Sequence, residues 1–134
     1  MKVVIDTNVL VSALWKQRSN AGFLIFNVVM GLIRPCYDSR RMEEYIEVLG
    51  RKKFGFHAVD VQKLLKAFSV NGIFVTPKPL LDIEFIDEDD RAFYEVAKYC
   101  KAPLVTGNTK HYPDAPIVVT LTDFCTQYLR EDLL

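Results

Sequence analysis

The sequence predicts an α/β fold with a central, mainly parallel sheet flanked by helices. Two observations carry this. Short β-branched runs alternate along the chain with segments whose apolar residues recur at helical spacing, the pattern of strands joined by crossover helices. No repeat, low-complexity tract or linker interrupts the 134 residues, and 50% of them are hydrophobic, so one sizeable core is expected.

Residues 2–5 form a β-branched run that ends at Asp6, which places this acid at the carboxyl end of the first strand. A helix over residues 8–14 follows, because Asp, Thr and Asn suit turns and N-caps. Ser19 or Asn20 can cap an apolar helix running to Gly31. Residues 32–37 read as a second strand, in which Pro35 suggests an edge or irregular position. Asp38 or Ser39 starts a helix ending near Gly50, with Met42, Tyr45, Ile46 and Leu49 inward and Glu44 beside that stripe. The next helix spans about residues 58–71, with Val61, Leu64, Leu65 and Phe68 inward and Gly72 as its stop, before a strand at 73–75. Pro77 and Pro79 open a loop, and beyond it a helix puts Phe93, Val96, Ala97 and Cys100 on one face. A strand at 103–105 leads into the turn Thr106-Gly107-Asn108, and a strand at 117–120 precedes a terminal helix from Thr122.

Seventeen Lys and Arg against seventeen Asp and Glu give no net charge, so a domain-wide basic field is absent and any nucleic-acid contact must be local. Cys36, Cys100 and Cys125 are odd in number and widely spaced, which suggests neither a disulfide framework nor a zinc site and fits a reducing cytoplasm. Asp6 in the middle of the apolar start and the lack of a small-residue cleavage site argue against a secretion signal. The longest apolar run, residues 21–33, contains Asn27 and falls short of the ~20 residues of a bilayer span. It reads as a buried helix or a subunit interface.

Open parallel sheets place their sites beyond the carboxyl ends of strands, where Asp6 and the Thr106-Gly107-Asn108 turn both stand. Asp90 near a helix start and Glu44 in an early helical turn can reach the same mouth. Three acids without histidine suit Mg²⁺ or Mn²⁺, which prefer oxygen ligands and are held by one or two carboxylates plus water and phosphate. Taken singly, each has a plainer role: a turn or cap residue for Asp6 and Asp90, a solvated helix flank for Glu44. The stretch 82–90 carries six acids in nine residues, and Arg40-Arg41 with Arg51-Lys52-Lys53 either contact phosphates or pair with it internally. His111 is placed to touch a substrate or to be an ordinary loop residue. Phosphate-binding glycine loops, GxSxG and HExxH are absent, which removes the common dinucleotide, NTPase, esterase and zincin signatures.

Four segments in order, VVIDTNV at 3–9, EYIEVLGRKKF at 44–54, DEDDRAF at 87–93 and VTGNTKHYP at 105–113, resemble the PIN domain family, and within it the VapC-like toxins of prokaryotic toxin–antitoxin systems. The resemblance covers essentially the whole chain and implies a single Rossmann-like PIN domain over residues 1–134. It also implies a cytoplasmic Mg²⁺- or Mn²⁺-dependent endoribonuclease, dimeric, silenced by a cognate antitoxin and without a membrane partner. Carried over residue by residue, Asp6, Glu44 and Asp90 are the catalytic and metal-holding acids. Asn8, Thr106 and Asn108 orient substrate or support those acids. Many relatives place a fourth acid where this chain has Asn108, which bears on whether one metal or two are held. A catalytically weak PIN-like module that binds RNA or a protein partner is the alternative reading. A small-molecule phosphoryl-transfer enzyme, a third, would need a closed pocket.

Overall fold

The computed structural model describes residues 1–129. In chain order the elements are β1 (Lys2–Ile5), α1 (Thr7–Trp15), α2 (Asn20–Val29), β2 (Arg34–Tyr37), α3 (Ser39–Leu49), α4 (Ala58–Asn71), β3 (Ile73–Phe74), α5 (Glu88–Cys100), β4 (Leu104–Thr106), β5 (Val118–Thr120) and α6 (Leu121–Phe124). One turn of π-helix, Cys125–Leu129, follows. The five strands are all parallel and lie in the order β3-β2-β1-β4-β5. From the central β1 the chain first builds outward to β3, then returns to add β4 and β5 on the other side. The order therefore reverses between β1 and β4, and a crevice opens at such a switch point beyond the strand ends.

Val3, Val4 and Ile5 of β1 are fully buried, as expected of a parallel strand covered on both faces. Leu10, Leu24, Phe68, Phe93, Leu104 and Phe124 extend the same core from five surrounding helices and β4. Of the candidate caps, Ser19 accepts from the Gly22 amide at 3.2 Å and Asp38 from the Arg41 amide at 2.8 Å. Gly72 does more than stop α4. A Cβ there would lie 2.7 Å from the Pro35 carbonyl oxygen and 2.9 Å from the Tyr37 ring, so β2 and the end of α4 can meet only at a glycine.

Three expectations need correction. Pro35 lies in an interior strand, with β2 paired on both sides. The register Cys36↔Ile73 puts the missing Pro35 N–H opposite Asn71, just before β3 begins, and the Arg34 side chain donates its Nε–H to the Asn71 carbonyl at 3.2 Å instead. The imino acid thus costs the sheet no unpaired acceptor. Ile46 is 54% exposed, because α3 turns Tyr45 and Leu49, four residues apart, squarely inward and carries Ile46 off that stripe by a helical step. The terminal helix starts at Leu121, where Thr120 caps it by accepting from the Asp123 amide at 3.0 Å. Cys36, Cys100 and Cys125 are all buried, and no disulfide joins any two of them. No described helix is long and apolar enough to cross a membrane.

Candidate functional site

The pairing Ile5↔Val105 sets Asp6 beside Thr106 at the switch point, and the Asp6 amide donates to the Val105 carbonyl at 2.9 Å. Asp6 occupies the N-cap position of α1, yet its side chain makes no cap hydrogen bond. Its Oδ2 instead accepts from the Thr106 hydroxyl at 2.8 Å and the Tyr112 hydroxyl at 2.9 Å. Burial pushes the Asp6 carboxyl pKa up, against these hydroxyls and the nearby Thr7 and Asn8 amides, which favour the charged form.

Asp90 lies in the first turn of α5 but is not its cap; that role belongs to Asp87, which accepts from the Asp89 amide at 3.0 Å. The Asp90 carboxylate is left free to face Asp6, and Tyr112 Oη stands 3.4 Å from its Oδ1. Its Oδ2 is buried and carries no hydrogen bond, with His111 Nδ1 3.4 Å away. The Asp90 pKa is pushed up to about 6, first by burial, then by the charges of Asp6 and Asp87. Burial and both acids also hold the Tyr112 phenol in its protonated form, as a permanent donor between two carboxylates. The structure thus joins Asp6 and Asp90 through one hydroxyl.

Glu44 is held separately. Its Oε2 accepts from the Thr7 hydroxyl, and Arg41 Nη1 lies 3.5 Å from its Oε1. Its pKa is raised by burial, opposed by Thr7 and Arg41 and reinforced by the charges of Asp6 and Asp89, so it stands within electrostatic reach of the other acids. A neighbouring anchor fixes this geometry: the fully buried Tyr45 donates its hydroxyl proton to the Ile5 carbonyl at 2.5 Å, tying α3 to the last residue before Asp6.

Asn8 accepts from the Gly107 amide through Oδ1 at 3.3 Å, linking the start of α1 to the turn after β4. Thr106, fully buried, also accepts from the Asn108 amide at 3.0 Å. Asn108 enters these hydrogen bonds through its backbone. The Arg40-Arg41 pair is engaged inside the molecule. Arg40 donates to Asp38 and to the buried Glu95, each at 2.7 Å, while Arg41 reaches the Asp89 carbonyl at 2.9 Å and stacks 4.5 Å over the Phe93 ring. These two arginines are thus held inside the molecule, but their carboxylate partners lie outside the acidic stretch 82–90, which contributes only the Asp89 carbonyl.

Among the described residues, no three His, Cys, Asp or Glu side chains converge closely enough to enclose a metal ion. A hydrated Mg²⁺ or Mn²⁺ does not need such a cage, since one or two carboxylates suffice when water and phosphate complete the shell. The mutual repulsion of Asp6 and Asp90, and an Asp90 Oδ2 that accepts no hydrogen bond and has His111 Nδ1 3.4 Å away, fit an oxygen-seeking cation at that pair.

Residues 2–110 match the family model of the PIN domain. The chain belongs to the PIN domain family. This PIN domain is 29% identical over 120 residues to an uncharacterized protein of Methanocaldococcus jannaschii, a match spanning 81% of this chain and 71% of that one. Its fold is similar to a chain in the crystal structure of VapBC2 from Rickettsia felis bound to a DNA fragment from their promoter. That match has a TM-score of 0.57 and 18% identity over 90% of this chain and 97% of the other. PIN domains are generally nucleases that use divalent metal ions.

Tyr112 is the site residue that the sequence did not single out. Its phenol donates to the buried Asp6 and reaches the half-buried Asp90, so Tyr112→Phe is expected to lower stability at pH 7 by about 1.5–3 kcal/mol, the range for a hydrogen bond to a charged group. Denaturant unfolding checks this; an unchanged midpoint would mean that the two acids hold their places without the hydroxyl.

Proposed function

We propose that this PIN domain is a Mg²⁺- or Mn²⁺-dependent endoribonuclease, the toxin of a toxin–antitoxin pair. The observation that carries the reading is the Asp6–Asp90 pair under Tyr112, with a buried, unbonded carboxylate oxygen at the crevice between β1 and β4. When bound at this pair, with Glu44 nearby, the ion supplies a more acidic water for in-line attack and offsets charge building on the phosphate. The chain's part is positioning. Thr106 and Tyr112 hold Asp6 in one rotamer, and Asn8 clamps the Gly107 turn beside it. Glu44, braced by Thr7, is the acid placed to orient a water or the ion's outer shell. No covalent protein nucleophile is required, and the products carry 5′-phosphate and 3′-hydroxyl ends.

The partners in this reading are RNA and a cognate antitoxin in the cytoplasm. The VapBC2 complex, with 18% identity to this chain, supports the antitoxin through shared fold. A homodimer is also part of it. Phe26, Val29 and Met30 of α2 and its C-cap, with Leu32 beyond, are each at least 50% exposed, an apolar surface that a second copy would cover. Light scattering at high micromolar concentration should give twice the 15.4 kDa chain mass; a monomer mass would remove the dimer from the account.

A second reading, a catalytically weak module that binds RNA or protein through the same groove, is favoured by one observation: among the described residues no third acid joins Asp6 and Asp90, and Asn108 brings no charge to the turn. Incubation of a mixed RNA pool with Mg²⁺ or Mn²⁺, beside an Asp6→Asn control purified identically, separates the two. Divalent-dependent cleavage lost in the control supports the nuclease; no cleavage under any divalent condition favours the binding module.

A further inference from the structure

Trp15 closes α1 with 63% of its surface exposed, unusual for the chain's one tryptophan, since this side chain is highly buried on average. It is nonetheless braced. Phe54 and Phe56 stack on each other at 5.3 Å and 10°, and Trp15 meets both in edge-to-face contacts at 5.6 and 6.2 Å. A ring held in this way has little rotamer freedom left to lose on binding. Trp15 and Phe54 form one wall of an open groove of about 460 Å³, whose lining also includes Glu44, Asp89 and Asp90. Arg51, Lys52 and Lys53, all exposed, flank the aromatic wall, with Lys53 Nζ 5.1 Å over the Phe54 ring.

We propose that Trp15 is a base-stacking platform for single-stranded RNA, placing the strand so that a phosphate reaches the acids in the same groove. The ribonuclease reading above supplies the class of nucleic acid. A π-face beside exposed cations, of which Arg51 pairs with Glu47 and Lys52 and Lys53 extend the charge, matches the alternation of base and phosphate along a single strand, and stacking accepts any base. A protein partner's apolar anchor has a better seat elsewhere: the groove between α1, α2 and α4, about 440 Å³, is lined by Leu14, Ile25, Phe26 and Val29. Charge complementarity assigns the Trp15 wall to RNA, because the cations beside it suit phosphates and the acids beyond it suit a phosphate only together with a divalent ion.

Because Trp15 is the single tryptophan, fluorescence excited beyond the absorption of the six tyrosines reports on this side chain. The parent protein is titrated with a single-stranded oligouridylate in calcium buffer, beside a duplex RNA of equal length and inorganic polyphosphate. Saturable quenching by the single strand and little by the other two is expected. In anisotropy with labelled oligouridylate, Trp15→Ala should weaken binding roughly five- to a hundredfold, and Trp15→Tyr should restore most of it. Lys52→Ala with Lys53→Ala should flatten the salt dependence. Quenching without cleavage would support the platform and remove the nuclease. Cleavage with no quenching and with unchanged Trp15→Ala affinity would overturn the platform alone, leaving the aromatic wall to a protein partner.

Discussion

Asp6→Asn is expected to lower divalent-dependent RNA cleavage by roughly a thousandfold, because it takes a full negative charge from the centre of the site and several kcal/mol of transition-state stabilisation follow the ion. The metal-free protein should not lose stability in exchange. The Asp6 carboxyl is buried and its pKa raised, which means that the folded state pays for the charge. An amide oxygen can still accept from Thr106 and Tyr112. Function and stability therefore move in opposite directions. Cleavage assays and thermal unfolding in EDTA, run on one preparation, check both. A variant clearly less stable than the parent would make Asp6 a structural residue of the α1 start, and unchanged cleavage would take it out of the site.

Asp90→Asn gives the second large effect, and it depends on pH. The Asp90 pKa rises from 3.8 to about 6 on folding, so the folded state holds its proton more tightly than the unfolded chain does. The stability this confers is fully present below pH 4 and is lost as the pH rises through about 6. A shift of this size corresponds to about 3 kcal/mol, which solvent screening at a partly exposed carboxyl reduces to about 1–2 kcal/mol. Above pH 7 the metal-free asparagine variant should be more stable than the parent by that amount, and near pH 4 the two should coincide. Saturating Mg²⁺ should close or reverse the gap at pH 7.5, since only the carboxylate gains from the ion. A gap that stays constant from pH 4 to pH 8 would show that charge repulsion at Asp90 is not its origin.

The β-branched run before Asp6 and the helix start around Asp90 made both acids legible, because strand ends and helix starts are written in short local patterns. Their support was not. The Tyr112 hydroxyl reaches Asp6 across 106 residues, and nothing local in HYP marks a tyrosine as a donor between two carboxylates. Thr7 was legible only as a residue suited to turns and caps, yet it faces Glu44, 37 residues on. Charge patterning located Arg40 and Arg41 but left their partners open, which the packing of α3 against α5 decides in favour of Asp38, Glu95 and the Asp89 carbonyl. Pro35 was misread because the edge rule assumes that a strand needs every amide. Here the neighbouring strand is two residues long and begins just past the gap.

The central claim is that Asp6 and Asp90 together form a cation site at the switch point of the sheet. Calorimetric titration of Mn²⁺ into the metal-free protein and into Asp90→Asn, with no RNA present, addresses it most directly. One ion is expected to bind the parent, with affinity falling at least tenfold in the variant. Equal affinities, or no binding to either, would contradict the claim and leave the two facing acids without a ligand to explain them.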